Sequence, residues 1–381
     1  MSDKKLMINW ILPRPSLSGG VKSNRLIAEA MVRKGHRVNI LYVDLPAIRP
    51  PIWRVRTLIR YWLRRYKTQK KQQHHLEFSI ANLLPVQHQV ISSFDAPDAD
   101  VTIATWWETA RWIQSWPESK GAKAYFIRHH EIHGGEPSKV IETYGYPFKK
   151  LVIARWLQNL MADQYGDSEA VLVPNGVDWT QFNFQAREKQ GIPTIGMLFG
   201  IVEWKGAKAA FNAIRLVQQR LPNLRVICFG AHPLDAVENP PDNFEYHFRP
   251  NQNEIPKLYR KTDCWLLSST LEGFGMPGLE AAACGCPLVS TRCGGPEDYI
   301  KHEYNGYLVD VNDVEAMADR IYQVVTMDNS LWRKMSSNSA DYVKRFDWDI
   351  SAGILEQALL NLVGSSNTTH SDDQPTSSIA E

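Results

Sequence analysis

Ser268-Ser-Thr-Leu-Glu272-Gly-Phe-Gly-Met-Pro277-Gly-Leu-Glu280-Ala-Ala-Ala-Cys-Gly-Cys-Pro287 follows a short apolar run, Cys264 to Leu267, with the length and composition of a buried strand. Gly273 and Gly275 supply turn chemistry, and Pro277 stands where a helix starts, since its missing N–H would be unpaired in a first turn anyway. The spacing predicts a small-sided helix over Gly278 to Cys284 that stops at Gly285. A strand, a glycine turn and a bare helix N-terminus form an anion site, because the unpaired N–H groups point outward. Glu272 and Glu280, eight residues apart, flank that site. Two carboxylates would repel a bare phosphate. Beside a ligand carrying a diphosphate and neutral hydroxyls, both have partners.

The chain has 381 residues, which predicts two domains, and its 44% hydrophobic and 22% charged content is that of a soluble globular protein. The net charge of +2 is unevenly placed: between Pro51 and Lys71 stand eight basic residues and no acidic one, which leaves the remainder at −6. That asymmetry argues against a general nucleic-acid binder and for one local basic patch. Helical spacing over 52–71 puts Val55, Leu58, Ile59, Trp62 and Tyr66 on one face and cations on another. Such a helix suits an anionic membrane surface, and equally a core-packing helix with a solvated basic face.

The five cysteines all lie beyond position 227. Cys228 and Cys264 read as buried thiols, and Cys284-Gly-Cys286 lacks the second pair that a zinc site needs. A polar start and the absence of any run near the ~20 apolar residues of a membrane span predict a cytoplasmic protein.

In the N-terminal half, Leu6 to Leu12 reads as a strand, Pro13 to Gly20 as a loop, Val21 to Lys34 as a helix ended by Gly35, and His36 to Val43 as a second strand. Gly19-Gly20 therefore stands at the carboxyl end of a first strand, where open α/β sheets bind ligands, or else marks an ordinary turn. It is not the dinucleotide fingerprint. Asp98 and Asp100 precede a strand, Val101 to Ala104; such a pair can hold a divalent metal, but here it stands at a turn position without a third ligand. The strand Ala122 to Arg128 ends in His129-His130-Glu131-Ile-His133-Gly134-Gly135, where a near-neutral imidazole could reach a reacting centre or stand solvated in a loop. Lys149, Lys150 and Arg155 bracket a short strand, Leu151 to Ala154, with a helix from Trp156 to Tyr165 behind it.

Asn175-Gly176 makes a turn, and from Thr194 a second βα series begins. Strands are expected at Ile195 to Gly200, Leu224 to Phe229, Phe244 to His247, Cys264 to Leu267 and Pro287 to Thr291. Helices are expected at Ala207 to Arg220, Glu254 to Arg260, Val314 to Thr326 and Ile350 to Val363, while Asn305-Gly306 reads as a turn. Lys205 falls in the loop after the first of these strands, the place for a cation against a diphosphate. The expected fold class is α/β, two doubly wound Rossmann-like domains facing each other across a cleft. The domains are expected at 1–178 and 179–345, with a C-terminal helix over 346–363 that packs back toward the first domain and a Ser/Thr/Asp-rich disordered tail over 364–381.

Three stretches resemble the family-four retaining glycosyltransferases of GT-B fold: Gly19-Gly20, Pro174-Asn-Gly-Val-Asp178, and Glu272-Gly-Phe-Gly-Met-Pro-Gly-Leu-Glu280, which looks like that family's E-x7-E motif. Gly294-Gly295, Asn305-Gly306 and Phe346-Asp-Trp348 are similar to its flanking positions. Tyr125 to Glu131, Glu142 to Tyr144 and Ala154 to Leu157 look closest to a bacterial, rhamnosyltransferase-like branch of surface-polysaccharide and lipopolysaccharide assembly.

The resemblance implies sugar transfer from a nucleoside-diphosphate donor to a glycan or lipid-linked acceptor, with retention at the anomeric carbon and without a metal or other cofactor. It implies that Glu280 holds the donor's ribose, Glu272 lies by the donor sugar, and the backbone of Phe274, Gly275, Met276, Pro277 and Gly278 binds sugar and diphosphate. Lys205 would neutralise the departing diphosphate, Gly19 and Gly20 would admit it to the N-terminal backbone, and His129 or His130 would face the anomeric carbon. One position departs from the family pattern: Ile201 follows Gly200 where an arginine is usual, which leaves Arg249 and Arg292 as candidate replacements. A non-catalytic nucleotide-sugar-binding scaffold on the membrane and a nucleotide-sugar epimerase are the alternative readings.

Overall fold

The computed structural model of the protein describes residues 4–45 and 74–368. The expected amphipathic helix over 52–71 lies outside those residues. The chain divides into two compact units, one of Met1–Val152, Gln158–Val173 and Ser351–Glu381, the other of Ile153–Leu157 and Pro174–Ile350.

The sheet of the first unit contains β1 (Met7–Leu12), β2 (Arg37–Val43), β3 (Asn82–Val86), β4 (Val101–Ala104), β5 (Ala122–Ile127), β6 (Lys149–Val152) and β7 (Val171–Leu172). They are ordered β3-β2-β1-β4-β5-β6-β7, and every pairing is parallel. Its central strands are covered on both faces, which explains their near-continuous apolar sequences: Ile8, Trp10 and Ile11 of β1 and Ile40 and Leu41 of β2 are fully buried. β3 was not evident in the sequence. It is a half-exposed edge, Asn-Leu-Leu-Pro-Val, and the edge is where Pro85 is tolerated.

Around this sheet stand α1 (Gly19–Arg33), α2 (Trp107–Ile113) and α3 (Pro137–Tyr144), and α4 (Arg155–Tyr165) begins in the second unit's segment. α1 begins two residues earlier than expected, so Gly19 and Gly20 are its first turn rather than loop. The Ser18 hydroxyl accepts the Val21 N–H at 3.4 Å as its cap.

The second unit orders β8 (Thr194–Phe199), β9 (Arg225–Gly230), β10 (Phe244–Phe248), β11 (Cys264–Leu267), β12 (Leu288–Thr291) and β13 (Gly306–Val309) as β10-β9-β8-β11-β12-β13, again all parallel. Its helices are α5 (Ala207–Arg220), α6 (Ile255–Arg260), α7 (Met276–Ala283), α8 (Val314–Thr326) and α9 (Asn329–Val343). α5 turns Ala210, Phe211, Ile214 and Val217 into the same core as Met317, Ile321, Val324 and Val325 of α8. That is the three-and-four spacing of an amphipathic helix, and each large side chain so buried contributes about 1.5–3 kcal/mol.

The long segment of the second unit runs from Pro174 to Ile350. The second begins at Pro174 because the Val177 N–H bonds the Phe346 carbonyl at 2.9 Å, and a Cβ on Gly176 would lie 2.4 Å from the Trp348 nitrogen. The last helix, α10 (Trp348–Thr368), joins the first unit from Ser351, where Glu356 pairs with Lys34 and with the buried His36, each at 2.9 Å. The tail expected to be disordered from 364 is corrected in part: residues 364–368 continue α10. No helix among the described residues is long and apolar enough to cross a membrane.

Candidate functional site

In the second unit the loops after β8, β11 and β12 converge at the carboxyl ends of neighbouring strands. Lys205 Nζ reaches Glu272 Oε1 at 2.6 Å, and the Ser269 hydroxyl donates to the same oxygen at 2.7 Å. The resemblance assigns these two residues separate roles, whereas the fold makes them one ion pair. Both are largely but not wholly covered, with side chains 28% and 14% exposed, so a ligand can still reach them.

Their placement is over-determined. The lysine stem lies across Gly200, where a Cβ would fall 2.9 Å from Lys205 Cγ. Gly206, at φ +66°, brings the next turn so close that a Cβ would meet the Ser268 carbonyl oxygen at 1.9 Å. The Ser268 hydroxyl in turn donates to the Lys205 carbonyl at 3.1 Å. Glu272 is pinned by its backbone, which donates to the Cys293 carbonyl at 2.7 Å and accepts from the Gly295 N–H at 3.1 Å.

α7 opens at once. Gly275 adopts φ +77°, and the buried Tyr299 hydroxyl donates to its carbonyl at 2.7 Å. Among the described residues the N–H groups of Phe274, Gly275 and Met276 make no hydrogen bond, as an anion site at a helix N-terminus requires. The Gly278 N–H is not among them: it donates back to the Gly275 carbonyl at 2.9 Å, and Pro277 has none to offer. Glu280 lies one turn in, 6% exposed, and accepts from the Tyr259 hydroxyl at 3.1 Å.

Neither arginine considered in place of the missing one stands ready. Arg292 lies between Glu297 at 3.9 Å and Asp310 at 3.6 Å. The Arg249 guanidinium donates to the Ala231 carbonyl at 2.9 Å, past the end of β9. Ile201, where the arginine was looked for, is 56% exposed.

In the first unit a second polar cluster stands at the carboxyl ends of β1, β4 and β5. The Gly19 and Gly20 N–H groups make no hydrogen bond among the described residues, and a Cβ on either would meet almost nothing. The protein's own packing therefore does not require glycine there, whereas a ligand approaching the backbone would. The buried Arg128 braces this turn by donating to Asn24 Oδ1 at 3.0 Å and to the Ser23 hydroxyl at 2.8 Å; both side chains also bond the Gly20 carbonyl. Burial draws the guanidinium down to about 9, still charged at neutral pH.

His129 and His130 follow directly. His130 Nε2 is 2.8 Å from the Tyr165 hydroxyl, and burial, aided by His133, lowers its pKa and favours the uncharged ring. His129 packs edge-on to His133, with ring centres 4.8 Å apart. Glu131 is the hub beneath them. Its Oε2 accepts from the Tyr125 hydroxyl at 2.6 Å and the Trp107 N–H at 2.7 Å, and its own N–H donates to the Tyr144 hydroxyl at 2.8 Å. Gly134 and Gly135 lie against the indoles of Trp106 and Trp107, where a Cβ would come within 2.2 and 2.4 Å.

Sequence reasoning missed Ser269, Tyr259, Tyr299, Arg128 and Tyr165. Ser269 stands three residues from Glu272 in the same loop, and each of the others reaches its partner from a different element. Asp98 and Asp100 take structural roles: Asp98 pairs with Lys120 at 2.9 Å, and Asp100 accepts the Met7 N–H at 2.7 Å. Among the described residues no three His, Cys, Asp or Glu side chains are grouped to hold a metal ion.

Residues 180–342 match the family Glycosyl transferases group 1. The group 1 segment contains Lys205, Glu272, Phe274 to Gly278 and Glu280, whereas Gly19, Gly20, His129 and His130 lie outside it. The chain is 40% identical to sucrose-phosphate synthase 4 of Arabidopsis thaliana over 101 residues, 26% of this chain and 10% of that protein. It is 25% identical to an uncharacterized glycosyltransferase of Methanocaldococcus jannaschii over 206 residues, 53% of this chain and 56% of that one. The chain thus spans only a tenth to about half of the length of these relatives. The solved structure of Anabaena HepE in complex with UDP-glucose superposes with a TM-score of 0.70 at 16% identity, covering 94% of this chain and all of that one. At that identity the likeness concerns the fold, which is the expected pair of Rossmann-like parallel α/β domains of the GT-B class.

Proposed function

We propose that the protein transfers a sugar from a nucleoside-diphosphate donor to a glycan or lipid-linked acceptor, with retention at the anomeric carbon. The observation that carries this reading is the joining of Lys205, Glu272 and the open N–H groups of Phe274 to Met276 at the start of one helix. A diphosphate at that helix start meets the dipole's positive end and, once Lys205 turns from Glu272, a mobile cation. Glu272 is then released to accept hydroxyl hydrogen bonds from the donor sugar, while Glu280 accepts them from the ribose. Charge develops on the leaving diphosphate in the transition state, so fixed donors aimed at it lower the barrier without a metal. The acceptor oxygen attacks from the face the diphosphate leaves. In the first unit, the Gly19-Gly20 turn offers further N–H donors, and the resemblance gives His129 or His130 the place that faces the anomeric carbon.

Uridine diphosphate sugars are the first donors to test, since HepE was solved with one. The resemblance of Tyr125 to Glu131 points to a hexose or deoxyhexose donor and to surface-polysaccharide assembly at the cytoplasmic leaflet. The eight cations between Pro51 and Lys71 suit an anionic membrane there. Co-sedimentation should rise with the phosphatidylglycerol content of vesicles, and binding insensitive to it removes the membrane from the proposal.

The central test measures nucleoside diphosphate release across a donor panel. Lys205→Ala and Glu280→Ala should each lower turnover about tenfold or more, the effect of losing a charged contact made in the transition state. Unchanged turnover in both would overturn the donor-site assignment. A product that is an epimerised donor, released without an acceptor, would instead establish an epimerase.

A further inference from the structure

At the amino ends of β1, β2 and β3, the first unit carries a cavity of about 590 Å³ that the chemistry above does not use. Its lining includes Arg37, Asn39, Asn82, Leu84, Phe94 and Pro97. The six-residue length of β1 separates it by about 17 Å from the Gly19 turn at the opposite end of the same sheet.

Three asparagines lie side by side across the strands, Asn9 beside Asn39 and Asn39 beside Asn82. Asn9 Nδ2 donates to the Pro97 carbonyl at 2.8 Å, Asn39 Nδ2 to Asn9 Oδ1 at 3.0 Å, and Asn82 Nδ2 to Asn39 Oδ1 at 2.8 Å. The Pro97 carbonyl can only accept, so it fixes every amide in the row. Asn9 must turn its nitrogen to Pro97 and its oxygen to Asn39, and the next pair must repeat the choice. The row ends with Asn82 Oδ1, which accepts nothing among the described residues. Each donation polarises the next amide, so this last oxygen is a strengthened acceptor.

Two further groups at the cavity have no role in the protein's own packing. The exposed Arg37 guanidinium makes no hydrogen bond or ion pair among the described residues. Phe94 is 98% exposed, a whole aromatic ring in water. Asp95, on the same lining, keeps its carboxylate on Ser92 and His88, and its charge opposes an anionic ligand.

We propose that this cavity binds a neutral hexopyranoside, a sugar unit of a glycan, at a site separate from the transfer chemistry. A pyranose ring presents C–H groups on one face and hydroxyls around its rim. The Phe94 ring takes the C–H face, Asn82 Oδ1 accepts from one hydroxyl, and Arg37 donates to another. The inference does not rest on the transferase reading, because none of these residues belongs to the donor cluster.

The test is saturation-transfer NMR on the full chain with methyl α-glucoside, methyl α-mannoside and methyl α-rhamnoside at millimolar concentration, with excess uridine diphosphate to fill the other site. Binding of at least one glycoside is expected. Phe94→Ala and Arg37→Ala, both changes of exposed side chains that leave the core intact, should each weaken it about tenfold. Nucleotide release by both variants should match the parent. No signal from any of the three glycosides, or equal binding by parent and both variants, would overturn the proposal. Displacement of the glycoside by sodium sulfate would overturn it in favour of an anion site at Arg37.

Discussion

Glu131 is fully buried, and burial pushes its carboxyl up to about 8, against the opposing hydrogen bonds of Tyr125 and Trp107. An unfolded glutamate titrates near 4.3, so between that value and about 8 the unfolded chain loses a proton that the folded one keeps. Its contribution to stability is therefore full below the unfolded pKa and declines as pH rises to about 8. Glu131→Gln retains an acceptor for Tyr125 and Trp107 but cannot ionise. Its melting temperature should change less between pH 5 and 8 than that of the parent, as measured by thermal denaturation in matched buffers. Parallel pH curves would show that the carboxyl is already ionised in the fold. Because the hydrogen bonds of Glu131 tie Tyr125, Tyr144 and the Trp107 turn beneath His129 and His130, Glu131→Ala should also reduce turnover while leaving the Lys205 cluster intact.

At the scale of elements, α7 shows how a tight turn into a helix is built. Its composition, two glycines, a proline and then alanines, announced a short helix with a bare start, and the helix forms one or two residues from where it was expected. What composition could not announce is the ceiling over it. A Cβ at Gly278 would lie 2.6 Å from the Tyr299 hydroxyl and 2.7 Å from Leu267, both buried and unable to yield. Gly278→Ala should therefore cost about 1–3 kcal/mol and lower the melting temperature. Tyr299→Phe should cost about 1 kcal/mol by removing the bond to the Gly275 carbonyl. Additive losses in the double variant would show that the two residues do not share this contact. The strands were read most easily where both faces are covered, as in β1, β2 and β8. β3 and the helices α2, α3 and α9 escaped: β3 is an edge strand with a proline, α2 and α3 have only seven and eight residues, and α9 is rich in serine and asparagine.

Across the whole molecule, the last helix is the least local of the contacts. α10 belongs from Ser351 to the unit containing residue 36, some three hundred positions earlier, and Glu356 makes that connection. Burial alone would raise the Glu356 carboxyl, but Lys34 and His36 outweigh it and hold it below the usual glutamate range. The pair thus stabilises the fold above the unfolded pKa and loses its contribution as pH falls through the lowered folded value. Glu356→Ala should cost about 1–3 kcal/mol at neutral pH, since it leaves the fully buried His36 ring without a partner for Nε2. Thermal unfolding and limited proteolysis near the C-terminus would measure it, and an unaltered melting temperature would show that α10 holds by its apolar face alone.

Local chemistry, written in consecutive residues, determined much of this protein from its sequence alone: two α/β domains, a glycine turn and bare helix start between Glu272 and Glu280, a glycine pair after the first strand and a cation at Lys205. Strand periodicity, glycine turns and a proline at a helix start act within about ten residues, so they can be read before folding. The tertiary structure alone decided which of these groups meet. Lys205 and Glu272 are 67 positions apart and become one ion pair only because β8 and β11 are neighbours in the sheet. Arg128 reaches back 104 positions to brace the Gly20 turn, and three asparagines on separate strands become a single polarised row. Such partnerships depend on strand order and register, which are fixed by the packing of the whole core rather than by any segment of the chain.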